Sequence, residues 1–106
     1  MQIQINAPDI QLSDAIAAKV HEEVQHAMRV FQDQVTRVEV YLHDANAHKG
    51  GIDKRCVMEA RLAGHQPLAT EHATNDMYEA IRHAANKLER AVRHMLERHE
   101  EHKSSR

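Results

Sequence analysis

The sequence predicts an α+β domain: a four-stranded mixed sheet in the chain order β-α-β-β-β-α, with two helices packed on one face. Three observations point there. Short segments at 2–6, 35–43, 55–63 and 68–73 alternate apolar with polar residues, the period-two signature of strands. Two longer segments, one from 14 to about 30 and one from about 76 to 99, repeat apolar residues at helical spacing. The middle strands follow a mostly polar-out alternation, which leaves one sheet face open to water and sends both helices to the other.

Each element has its own local cause. In the first strand Ile3 and Ile5 alternate with glutamines, and Pro8 ends the run. Ser13 caps the first helix and Asp14 suits its positive end, while Ile16, Val20, Val24, Ala27 and Phe31 fall on one side; the helix should reach about Val30. In the second strand Val38, Val40 and Leu42 face one way, and Arg37, Glu39, Tyr41 and His43 the other. The polar stretch "DANAHKGGIDK" leads into "RCVMEARLA", where Cys56, Met58, Ala60 and Leu62 share a face, and the two strands read as a hairpin. A turn at 64–67 precedes "LATEHA", whose leading proline suits a sheet edge. Thr74 or Asn75 can cap the final helix, which should end near His99 and leave 103–106 as a disordered tail. The first helix then joins two parallel strands by a right-handed crossover, and the rest is an antiparallel meander.

Composition narrows the function. With 106 residues, the chain fits one domain over 1–102 and not two cores. Its start, "MQIQINAPD", has no charged region followed by an apolar run, and no segment approaches the roughly 18 apolar residues of a membrane span, so a cytoplasmic protein is expected. Cys56 is the only cysteine, which rules out an internal disulfide. Fourteen basic against sixteen acidic side chains give a formal charge of −2, and protonation of all ten histidines would carry it to +8.

The final helix carries two stripes. Met77, Ile81, Ala84, Leu88, Ala91, Val92 and Met95 cluster as a core seam, while His83, Lys87, Arg90, His94 and Arg98 fall together within roughly an 80° arc at its shoulder. At about 1.5 Å rise per residue the row is about 20 Å long and can follow a phosphate backbone. The alternative is a solvated face, with Glu89 to Arg93 and Glu79 to His83 as helix pairs.

"NDMYEAIRHAANKLERAVRHMLERHEEHK" resembles the final helix of the ribosome hibernation-promoting factor family, which includes the ribosome-associated inhibitor and was once described as modulating a sigma factor. "DMYEAI" followed by Lys87, Leu88 and Arg90 is the most specific part, and "QIQINAPDIQLSDAI" extends the likeness over nearly the whole chain. The resemblance implies a fold similar to double-stranded RNA-binding domains and a small bacterial protein that sits in the decoding channel of the small ribosomal subunit. There it overlaps the messenger and transfer RNA sites and holds translation idle under stress. Lys87, Arg90, His94 and Arg98 stand where similar proteins carry basic residues facing ribosomal RNA. The first helix departs from the family pattern, which presents basic residues there too: Glu22 and Glu23 stand beside Lys19, His21, His26 and Arg29. The chain reads as a short form, without the further domain by which long members pair ribosomes.

Other features are secondary. "HKGGIDKR" places Lys49, Lys54 and Arg55 around two glycines, where backbone and cations could meet a phosphate; a plain solvated turn is the alternative. Phe31, Tyr41 and Tyr78 are the only aromatics, and with two of them expected inside, shape and phosphate recognition of folded RNA fits better than base stacking. His94, His99 and His102 lack a third ligand of fixed geometry, and the other histidines read as surface residues, so no metal site is expected. No phosphate-binding glycine loop or nucleophile constellation appears; neither an enzyme, a cofactor nor a small-molecule substrate is expected. The acidic first helix supports a second reading, a divergent member that serves as a protein-interaction module without the ribosome. A third, a metal-binding or stress-buffering protein, rests on the histidines alone.

Overall fold

The computed structural model describes residues 1–45 and 52–104, the side chains of 99–104 excepted. Its elements are β1 (Gln2–Asn6), α1 (Asp14–Ala27), a 3-10 turn (Arg29–Phe31), β2 (Val35–Asp44), β3 (Lys54–Leu62), β4 (Leu68–Thr74) and α2 (Met77–Ser104). The sheet order is β1-β2-β3-β4, with β1 parallel to β2 and the other pairs antiparallel. This is the α+β order that the alternation predicts. β1 and β4 form the two edges.

One sheet face is buried. Val38, Val40, Leu42, Cys56, Met58 and Ala60 are fully covered, and across the strands Ile3 lies beside Val38 and Ile5 beside Val40. Val35 has the wrong parity for this face, yet it is buried. A bulge between Val35 and Arg37 explains it: the extra residue shifts the phase, so Val35 pairs with Leu62 and turns inward. The β3–β4 turn needs positive φ at Gly64, at 79°, which a residue without Cβ adopts without steric cost.

Ser13 caps α1 through its Oγ, which accepts from the Ile16 amide at 3.1 Å. The helix stops at Ala27, short of Val30. The Phe31 amide then bonds the Met28 carbonyl at 2.9 Å, a three-residue step that aligns Met28 with Phe31, and both enter the core while Val30 stays 60% exposed.

α2 is capped by Asp76, and neither Thr74 nor Asn75 takes that role. The Asp76 carboxylate accepts from the Tyr78 amide at 3.0 Å, and its carbonyl from the Ala80 amide at 2.9 Å. Replacing Asp76 by Ala is expected to lower stability by about 1 kcal/mol, read as a shifted urea midpoint with an unchanged slope. At its other end α2 continues to Ser104, past His99, so residues 103 and 104, expected in a tail, are helical. The run 97–103 holds no glycine or proline, and its glutamates, arginine and lysine are good helix formers. Ala80 and Ala85 join Met77, Ile81, Ala84, Leu88 and Val92 in the buried stripe. The stripe is wider than the predicted seam because α2 packs against β3, β4 and α1 together.

Candidate nucleic-acid interface

Burying Leu88 and Val92 fixes the rotation of α2, and this places His83 and Lys87 against β4 with Arg90, His94 and Arg98 continuing the row along the helix. Arg90, His94 and Arg98 are exposed. Lys87, half-buried, extends its ammonium to the Glu71 carbonyl of β4 at 3.0 Å. The flanking carboxylates serve other cations: Glu89 holds Arg93 at 3.1 Å, and Glu79 holds Arg82 at 2.7 Å. Both helix pairs expected for a solvated face are present, since His83 also lies 3.7 Å from Glu79. They stop short of Arg90, His94 and Arg98.

Elsewhere among the described residues the lysines and arginines other than Arg29 are paired. Lys19 meets Glu23, Arg37 meets Glu39, Lys54 meets Asp44 and Asp53, Arg55 meets Glu71, and Arg61 meets Glu59. Among the described lysines and arginines, only Arg29, Lys87, Arg90 and Arg98 lack a carboxylate partner within the described side chains. Three of these four lie on the row. The acidic residues of α1 sit on the other flank of α2, where Glu22, Glu23 and His26 line a shallow cavity with Arg82 and Asn86.

His83 is less available than the row suggests. Its ring stacks on His72 of β4, with centroids 4.5 Å apart and planes tilted by 32°, and its Nε2 lies 3.2 Å from the Arg82 guanidinium. His72 is thus not a plain surface residue. It alternates onto the helix-facing side of β4, paired with buried Cys56, a placement that follows from strand register. Burial, and then the charges of Lys87 and His83, hold the His72 imidazole below its ordinary 6.5. The folded state therefore binds this proton less readily than the unfolded chain. Stability from this group is complete above about pH 6.5 and falls as pH drops below it. His72→Gln is expected to reduce the loss of urea midpoint between about pH 7.5 and 5.5.

The hairpin base divides. Lys49 lies outside the described residues. Lys54 is held between Asp53 at 3.0 Å and Asp44 at 3.3 Å, and these bonds, Asp53 first, raise its pKa. Its charge is balanced on the spot. Arg55 makes two bonds to Glu71, at 2.9 and 3.3 Å, but both side chains are about half exposed, and such pairs contribute little. A phosphate could displace Glu71 at small cost, so of the two described cations only Arg55 is readily released.

Of the three aromatics, Tyr41 alone lies on the open sheet face, and it is half-buried. The Tyr41 hydroxyl donates to Glu39 at 2.6 Å, which pushes its own pKa up and that of Glu39 down. Phe31 is buried, with the Arg93 guanidinium 5.2 Å from its ring centre. Tyr78, expected inside, is 42% exposed in the first turn of α2. His99 and His102 have side chains outside the described set.

A sequence model of the family described as "Sigma 54 modulation protein / S30EA ribosomal protein" matches residues 3–100. The search of curated proteins gives no match. Among solved structures, the Thermus thermophilus Protein Y N-terminal domain is similar at 26% identity and a TM-score of 0.74, covering 90% of this chain and 99% of that one. A ribosomal subunit interface protein from Coxiella burnetii is similar in fold at 19% identity and a TM-score of 0.75, covering 90% and 97%.

Proposed function

Since the chain belongs to the sigma 54 modulation protein and S30EA ribosomal protein family, we propose that it is a ribosome-associated translation inhibitor, a hibernation factor that binds folded ribosomal RNA in the decoding channel of the small subunit. Bound there, it occupies the messenger and transfer RNA sites and idles translation under stress. One observation carries the reading: Lys87, Arg90 and Arg98 form a line of cations without carboxylate partners among the described side chains, while seven other described cations are each held by one. Phosphates are the groups that such a line fits, and each neutralised phosphate releases counterions. His94, exposed on the same line, adds charge when protonated. Arg55 is the second contact.

The activity is occupancy without chemistry. The one thiol, Cys56, is buried and pushed up to about 12 by that burial, far from a nucleophile's range. No described helix is long and apolar enough to cross a membrane, and the proposed site of action is the cytoplasm.

Co-sedimentation with purified small ribosomal subunits tests the proposal. The protein is expected to pellet with subunits, to be released progressively by salt, and to be displaced by transfer RNA. Failure to pellet at low salt, or binding indifferent to transfer RNA, would turn the reading towards a protein-interaction module.

A further inference from the structure

The two sheet edges differ. β4 is flanked by α2: Lys87 bonds the Glu71 carbonyl, the Thr70 hydroxyl bonds the Ala84 carbonyl at 3.0 Å, and His72 stacks on His83. β1 has no such cover. Its only sheet neighbour is β2, and none of its outward backbone groups has a partner among the described residues. The strand is uncharged, free of proline and regular in register, so it lacks the usual devices against edge pairing except its length of five residues. Beside it, a groove of about 790 Å³ opens under α1, lined by Met1, Ile3, Ala18, Glu22, Gln25 and Arg29 among others. Ile3 and Ile5 reach the core only in part, and Met1 is 40% exposed.

We propose that the free edge of β1 pairs with β1 of a second copy of this chain, antiparallel and centred on Gln4. The sequence of the strand is complementary to itself in that register. Ile3 stands opposite Ile5 of the second copy on the helix-facing side, and Gln4 opposite Gln4, with Gln2 opposite Asn6, on the open side. Directly opposed like charges are what most disfavour a symmetric strand pair, and this strand has none. The added isoleucines extend the apolar layer into the groove. Its wall carries both signs, Glu22 of α1 and Arg29 of the 3-10 turn that follows, so it presents no single-sign field to a second copy. The self-complementary register of the strand favours a second copy over an unrelated extended peptide. The candidate RNA row begins against β4, at the far edge of the sheet, and stays open in the pair. Five residues of pairing make a weak interface, below about 1,200 Å².

Two measurements without RNA test the pairing. Sedimentation equilibrium of the unaltered chain is expected to show the mean mass rising towards twice the monomer between about 10 µM and 1 mM, the range of weak interfaces. A short bismaleimide is expected to link Gln4→Cys into dimers, because directly opposed Cβ atoms lie about 4.5–5.5 Å apart. Ala69→Cys, exposed on β4, should link far more slowly, and Cys56, buried with a thiol raised to about 12, does not compete. Arg90→Glu with Arg98→Glu should dimerise normally, which separates this proposal from the RNA site. A monomer up to 1 mM, or a cysteine at position 4 that links no faster than one at 69, overturns it, the first outcome leaving the edge to another partner.

Discussion

Under the proposed function, Arg90→Glu with Arg98→Glu is expected to remove most of the affinity for small ribosomal subunits while leaving the fold unchanged. Both side chains are exposed and without carboxylate partners among the described side chains, so their reversal breaks no ion pair among those residues. Each lost phosphate contact flattens the log–log salt dependence by about one unit. Two lost charge-assisted contacts lower affinity on the order of a hundredfold or more at physiological salt. The measurement is co-sedimentation across a salt series, with melting temperature as the control. Unchanged affinity and slope in a folded double variant would make the row an ordinary solvated face. Lys87→Glu is a less clean probe, since it also releases the Glu71 carbonyl.

Leu88→Ala acts through the fold. Leu88 is fully buried in the layer between α2 and the sheet, one residue from the row, so it separates packing from recognition. Truncation is expected to cost about 2–5 kcal/mol through lost burial and a residual cavity, a large share of a small domain's stability. The melting temperature should fall by about 10 °C or more, and ribosome binding should fail only where the protein unfolds. A normal melting temperature would mean that the helix is rotated from its described phase.

These two residues also show where sequence reading succeeds. Leu88 and Arg90 were separable by helical phase alone, because burial repeats with the helix and a 28-residue helix gives the phase many turns to average. The strands were legible for the same reason. Val35 was not, because a bulge changes parity without leaving a compositional mark. The α2 cap was misplaced at Thr74 or Asn75, because Asp76 directly after them is an equally good capping residue and propensity alone does not fix the boundary. The pairing of Arg55 with Glu71 and of Lys54 with Asp44 depends on cross-strand register, as does His72 meeting His83. Local periodicity says nothing about register. What the sequence could not show was therefore which cations are neutralised, the distinction on which the proposed site rests.

The carboxylates that hold the off-row cations have a consequence for how the protein moves through a cell full of nucleic acid. A chain with formal charge −2 feels no general attraction to polyanions from afar. The cations of the row act over roughly a Debye length, about 8 Å at physiological salt, and only from one line along one helix. Transfer RNA, messenger RNA and the chromosome, met in random orientation, retain such a molecule poorly. On the proposed reading, a surface whose phosphates run along the row would retain it well. Under the proposed function, acidity, which looks out of place in a protein that binds RNA, would keep the unbound pool mobile and confine capture to aligned encounters.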